Sequence, residues 1–310
     1  MSLSYSSRHH PDPVATLNLS QRLTAAWVEH PNILARSAQQ VMPARNIRFF
    51  DQRMAHRWYM AGDPVRSAFF TALSATFPLG ERFFIDSVRP WQGSVEPQLA
   101  AEVNAFIVQE ALHTREHLVC NELIAATGYD ATGMEERTRA VLAPFRATPA
   151  ERQLGLTIAL EHFTALFARA VLTRPELLEG APADVRALWR WHAMEEIEHK
   201  AVAFDVFEAI SAGWSPLRRY AFRLRALAEA SRVLMSVVAR NMTDLFRQDE
   251  LPRPVTWARA ISYFFGWRGV LTRMTGGYLA WLRPGFHPWQ HDDLALAQAV
   301  AQELQPGGAR

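Results

Sequence analysis

Strand signals are nearly absent from this chain, and helix punctuation is dense, which confines it to an all-α fold. No run of alternating β-branched residues occurs, and no Asn-Gly or Asp-Gly dipeptide marks a hairpin. Proline and glycine instead bracket long segments of helical periodicity. Residues 64–89 read as a helix capped by Asp63, with Pro64 at its first position and a kink where Pro78 and Gly80 fall. Residues 97–127 form a second, from Pro97 to Gly128, and residues 131–143 a short one. Residues 149–173 follow, with Thr148 as cap and Pro149 first, and then residues 182–212, opened by Pro182 and closed by Gly213. Three more are expected at about 215–247, 254–283 and 290–304. Long helices joined by shorter links suit a bundle. The expected organisation is an N-terminal arm and leading segment (1–60), a four-helix bundle (61–213) and a C-terminal helical extension packed on it (214–310).

The chemistry-bearing residues sit where apolar side chains should be. In "FIVQEALHTREH", Glu110, His113 and His117 share one side with Val103, Phe106 and Ile124. In "WHAMEEIEHK", His192, Glu196 and His199 share one side with Leu188, Ala203 and Val206. An amphipathic helix buries its apolar stripe, and an ionised carboxylate there is costly without a partner. The other two long helices each carry one matching acid: Glu81 among Phe77, Phe84, Ile85 and Val88, and Glu161 in the row Leu154, Ile158, Ala165, Ala168. The order Glu, Glu-x-x-His, Glu, Glu-x-x-His, one element per helix, is the recipe for a dinuclear carboxylate site inside a bundle. Hard oxygens with imidazole suit iron or manganese.

Composition bounds the alternatives. A formal net charge of +2 gives no electrostatic footprint for nucleic acid. Cys120 is the single cysteine, so no internal disulfide can form and a reducing, cytoplasmic setting is expected. The first twenty residues lack an apolar core, so no secretory signal is expected. Residues 260–282 are apolar but hold Arg268 and Arg273; a partly buried hairpin or an interface is expected, with peripheral membrane contact as the minor alternative.

The ordered acids and histidines resemble those of the ferritin-like di-iron carboxylate superfamily, over about residues 64–212. The resemblance implies a ferritin-like four-helix bundle with additional C-terminal helices, and metal ligands Glu81, Glu110, His113, Glu161, Glu196 and His199. His192-x-x-x-Glu196-x-x-His199 is similar to the three-histidine variant of p-aminobenzoate N-oxygenase and related arylamine oxygenases, which implies His192 as a further ligand. Glu195 stands where relatives carry an acid that orients a ligand histidine, here His113. Gln109 stands where several relatives have an acid. "FPLGERFF" and "WRWHAMEEIEHKAVAFDVF" also look like a bacterial family labelled "predicted metal-dependent hydrolase".

Other titratable residues read as ordinary. His117 is expected beside a ligand or lining the pocket, and His162 to be structural. Glu198 and Lys200 are expected as a solvated or marginal pair. Trp189 and Trp191 are expected in packing, and His287 and His291 in a loop. Arg45, Arg48 and Arg53 are expected as a charged rim over an aromatic anchor. Phe77, Phe84, Phe106 and Phe163 are the candidate pocket aromatics.

The leading functional expectation is a non-haem di-iron oxygenase or oxidase. It would hold two iron ions, or manganese or a mixed pair, and use O2 to oxidise a small organic substrate, such as an amine by N-oxygenation. The electron donor is not identified. The alternatives are a dinuclear hydrolase of an ester or phosphoester, using zinc, and a non-enzymatic iron-binding protein. The helices after residue 214 suggest a homodimer face or a lid.

Overall fold

The computed structural model describes residues 42–50 and 56–304. Most of the expected N-terminal arm, with His9 and His10, lies outside the described residues, as does Arg53. Every regular element among the described residues is helical.

Helix α1 spans Pro64–Ser74 and α2 spans Phe77–Val88. Asp63 Oδ1 accepts from the backbone of Val65 and Arg66 at 2.8 and 3.1 Å, satisfying two of the orphan donors at the N-terminus of α1. The expected single helix over 64–89 is therefore two. The break precedes Pro78, whose missing N–H is tolerated in a first turn and not in a helix interior. Helix α3 spans Pro97–Ala125, and Gly128 turns the chain behind it at φ +98. Helix α4 spans Thr132–Arg146 and α5 spans Ala150–Thr173. Pro149, not Thr148, is the N-cap of α5; the Thr148 hydroxyl donates to the Phe145 carbonyl at 2.6 Å instead.

Helix α6 spans Ala183–His199 and α7 spans Val202–Ile210. The expected continuous helix 182–212 is thus interrupted at Lys200 and Ala201, where neither proline nor glycine stands. A tertiary anchor holds this point. Buried Lys200 donates to the His291 carbonyl at 2.8 Å, pairs with Asp293, and lies over the Trp289 ring at 4.3 Å. Helix α8 spans Pro216–Gln248, α9 Arg253–Phe265, α10 Val270–Ala280 and α11 Leu294–Glu303. The expected helix 254–283 is split at Gly269, where a Cβ would collide with the Phe264 carbonyl.

Helix α2 packs along α3, and α5 along α6; contacts of α2 with α5, and of α3 with α6 and α7, close these into a bundle. Helices α8 and α10 cover α5, and α11 covers α6. One apolar cluster includes Phe70, Phe77, Trp191 and Phe246, and a second includes Phe83, Phe106, Phe204 and Trp281. Each such side chain contributes about 1.5–3 kcal/mol on burial. Helix α5 is long and apolar enough to cross a membrane, yet 78% of its apolar window is buried within the protein. Residues 260–282 form parts of α9 and α10, with Ala260, Phe264, Val270 and Ala280 inward and Trp267 92% exposed at the turn between them.

Candidate metal centre

Four helices each bring one element of the pattern to a common interior point. Helix α2 supplies Glu81, α3 supplies Glu110 and His113, α5 supplies Glu161, and α6 supplies His192, Glu196 and His199. All are buried. Three overlapping groups have ligand atoms within 4.8 Å of one another: Glu81, His113 and His192; Glu110, His113 and Glu196; Glu110, Glu161 and His199.

The distances divide the cluster into two halves that share two carboxylates. In the first half, His113 Nδ1 lies 3.8 Å from Glu110 Oε2 and 3.8 Å from Glu196 Oε1, and His192 Nε2 lies 4.0 Å from Glu81 Oε1 and 2.8 Å from Glu196 Oε1. In the second, His199 Nε2 lies 3.2 Å from Glu110 Oε1, 3.6 Å from Glu161 Oε2 and 3.6 Å from Glu196 Oε2. Glu110 and Glu196 therefore turn one oxygen to each half. Glu81 and Glu161 stand at opposite ends.

Most of the inward atoms lack hydrogen-bond partners, the exception being His192 Nε2 with Glu196 Oε1 at 2.8 Å. Glu81 Oε1, both oxygens of Glu110 and of Glu161, His113 Nδ1, Glu196 Oε2 and His199 Nε2 are buried with no hydrogen bond. Native proteins rarely leave buried polar atoms unpaired, so a set of them aimed at one point fits a bound cation. Without a cation the cluster must hold protons. Burial, and then the Glu110 charge, push the Glu81 carboxyl well above the carboxylate range; burial and Glu196 do the same to Glu161. For His113, burial works downward, but the neighbouring Glu110 and Glu195 carboxylates outweigh it and push the imidazole up to about 10. A cation bound here would displace those protons.

A second ring of side chains fixes the first. Glu195 Oε2 lies 3.1 Å from His113 Nε2, which leaves His113 Nδ1 facing the cluster. Glu195 Oε1 also accepts from Trp191 Nε1 at 3.0 Å and from Arg45 Nη1 at 3.2 Å. Gln109 Oε1 lies 3.1 Å from His199 Nδ1, and its amide donates to Glu198 Oε2 at 3.1 Å. Arg45 closes the ring with a fork onto Glu198, at 2.7 and 2.8 Å. Such outer partners set the tautomer and tilt of a ligand imidazole.

His192 has its own support. Its Nδ1 lies 2.7 Å from His117 Nε2, and His117 Nδ1 lies 2.8 Å from Ser74 Oγ. Ser74 donates onward to Asn121 Oδ1 at 2.7 Å, and the Asn121 amide donates to the Ser74 carbonyl at 3.2 Å, which fixes its orientation. With the Ser74 proton committed, His117 donates from Nδ1 and accepts at Nε2. His192 then donates from Nδ1, and its Nε2, 2.8 Å from Glu196 Oε1, would give its lone pair to a bound cation. Thr114 Oγ1 donates to Glu81 Oε2 at 2.8 Å and leaves Oε1 inward. His113 and His192 stack at 4.1 Å, Trp191 packs edge-on against His113 at 4.9 Å, and Phe106 against His199 at 4.9 Å.

Several residues depart from the sequence reading. Glu198 is buried and holds Arg45 and Gln109, and Lys200 is buried with Asp293; they form no solvated pair. Arg45 reaches inward instead of forming a rim, whereas Arg48, 64% exposed, pairs with Glu116 at 3.2 Å and Phe49 packs on Trp191 at 5.2 Å, in keeping with a charged rim over an aromatic anchor. Ser74, Thr114 and Asn121 carried no signal of their own. Their roles depend on tertiary placement, although Thr114 stands one turn beyond Glu110. His162 Nε2 bonds the Gly277 carbonyl at 3.1 Å, away from the cluster. His287 lies in the turn at Pro288–Gln290, with its Nε2 2.8 Å from Asp205 Oδ1. Phe77 and Phe163 line an apolar cavity, whereas Phe84 lies in the second apolar cluster.

A family model described as "Predicted metal-dependent hydrolase" matches residues 43–292. No curated protein and no solved structure matches the chain.

Proposed function

The chain belongs to the predicted metal-dependent hydrolase family, and from that premise we propose that it is an enzyme with a two-cation centre held by Glu81, Glu110, His113, Glu161, His192, Glu196 and His199. The observation that carries this reading is the set of buried, partnerless oxygens and nitrogens converging from four helices. Four carboxylates with neutral imidazoles balance two divalent ions, which removes the cost of burying those charges. Glu110 and Glu196, with one oxygen toward each half, and Glu81 and Glu161 at the two ends would hold the ions, and the rings of His113, His192 and His199 are oriented by Glu195, His117 and Gln109 in turn.

The donor set supports oxidation of a small organic substrate by O2, as in the ferritin-like di-iron proteins that the pattern resembles. It is rich in glutamate, carried wholly on helices and packed by Phe106 and Trp191. Iron bound here would supply the redox chemistry, and zinc or manganese a polarised water. The chain itself binds the ions, fixes their ligands and restricts water around them. Hydrolysis of an ester or phosphoester is the second reading, and the family description favours it.

Anaerobic loading separates the two. Iron at about two per chain with substrate-dependent oxygen uptake supports oxidation. Turnover of nitrophenyl esters or phosphates by the zinc or manganese form, with no oxygen uptake by the iron form, supports hydrolysis. A chain that retains no metal after desalting overturns both.

A further inference from the structure

An apolar cavity of about 140 Å³ lies between α1, α2, α5, α8, α9 and α10. Its walls include Phe69, Phe77, Phe167, Met242, Phe264 and Met274, and none of its lining residues is charged. The hydroxyl of Thr164, also in the wall, donates to the Glu161 carbonyl of its own helix at 2.9 Å and so has no proton left for the cavity. A cavity of about this volume is large enough to hold a benzene-sized molecule.

Two features make it more than a packing defect. At its inner end a void of about 10 Å³ shares Phe77, Thr164 and Phe167 with it and is lined by His192 and Glu196. Phe77 packs on the His192 ring at 4.7 Å, so only one aromatic layer separates the cavity from a cluster imidazole. At its outer end Met235, Ile261 and Phe265 are 42%, 56% and 59% exposed, which gives it a mouth. A larger cleft of about 440 Å³ lies over Thr114, but it is walled by Arg82, Glu122 and Glu135 and meets none of the cluster residues directly.

We propose that this cavity is the substrate pocket of the centre, and that it takes a molecule with an uncharged apolar body about one aromatic ring or short alkyl chain across, its reacting end turned toward His192 and Glu196. The proposal rests on the metal-enzyme reading above and narrows it. No wall residue is charged, so a carboxylate or phosphate on the body of the substrate would be desolvated without a counter-ion, and a polar function is accepted only at the inner end. The methionines Met235, Met242 and Met274 let the walls adjust to bodies of different shape.

The test uses the full chain loaded with cobalt(II) and titrated with ethylbenzene, read by calorimetry and by the visible cobalt bands. Saturable binding that shifts those bands is expected. Val238→Trp should fill the cavity from α8 and weaken binding at least tenfold with cobalt content unchanged. Met235→Trp, at the exposed mouth, repeats the test where the core cannot be disturbed. Absence of saturable binding overturns the proposal, as does binding that leaves the bands unmoved or survives both variants. Cobalt uptake without ethylbenzene binding overturns the pocket alone. Ethylbenzene binding by a chain that takes up no cobalt overturns the metal-enzyme reading, and with it the pocket's role.

Discussion

Gln109 Oε1 sits 3.1 Å from His199 Nδ1, while the amide nitrogen of the same side chain donates to Glu198. An acid at this position would place like charges side by side against Glu198. A neutral amide satisfies the imidazole and the carboxylate together. Gln109→Leu should therefore lower metal affinity by about 10–100-fold, the usual effect of removing a partner of a ligand histidine. Competition against a chromophoric chelator measures it; unchanged affinity would remove Gln109 from the support of His199.

Arg45 carries two buried acids at once. Glu195 is fully buried, Glu198 is 7% exposed, and Arg45 itself is 18% exposed. Arg45→Met leaves Glu198 without a cation and Glu195 with His113 and Trp191 alone, and should cost on the order of 3 kcal/mol of stability. Adding Glu198→Gln should recover part of the loss. Urea denaturation of the single and double variants reads the difference, and additive effects would show that the pair is not coupled.

The hydrogen bonds behind His192 make an asymmetric prediction. Ser74→Ala frees His117 to reverse its tautomer, which would protonate His192 on the nitrogen facing the cluster. Cobalt titration should then show one weakened site and one unchanged, because Glu161 and His199 lie in the other half. Equal loss at both sites would contradict the separation of the halves.

The metal-free protein should respond to pH with a definite sign. Burial and neighbouring carboxylates raise Glu81 and Glu161 well above the usual range, and His113 is raised to about 10. These groups keep protons in the folded chain that the unfolded chain releases at lower pH. Their contribution to stability is therefore fully present below the unfolded values and is lost as pH rises toward 10. The melting temperature of the metal-free protein should fall from pH 6.5 to 10. A zinc-loaded sample should fall less, because the cation has already displaced those protons.

The helical class was legible because punctuation by proline and glycine is a local property. So was the clustering of Glu81, Glu110, His113, Glu161, His192, Glu196 and His199, since each is an acid or imidazole placed on an apolar helical stripe. The break between α6 and α7 was not legible, because no local residue causes it; Lys200 is held there by Asp293 and Trp289. Glu198 and Arg45 were misread for a related reason. A charge on a helix margin looks the same in sequence whether it meets water or another charge 153 positions away.

Phe49 against Trp191 and Arg45 against Glu195 and Glu198 bind residues 42–50 to the bundle. A fragment cut at the first residue of α1 would keep all seven inward donors yet strand two acids without their counter-charge beneath them. The smallest autonomous piece of this protein therefore starts upstream of α1, and an expression boundary drawn at α1 would sever the roof of the site from its walls.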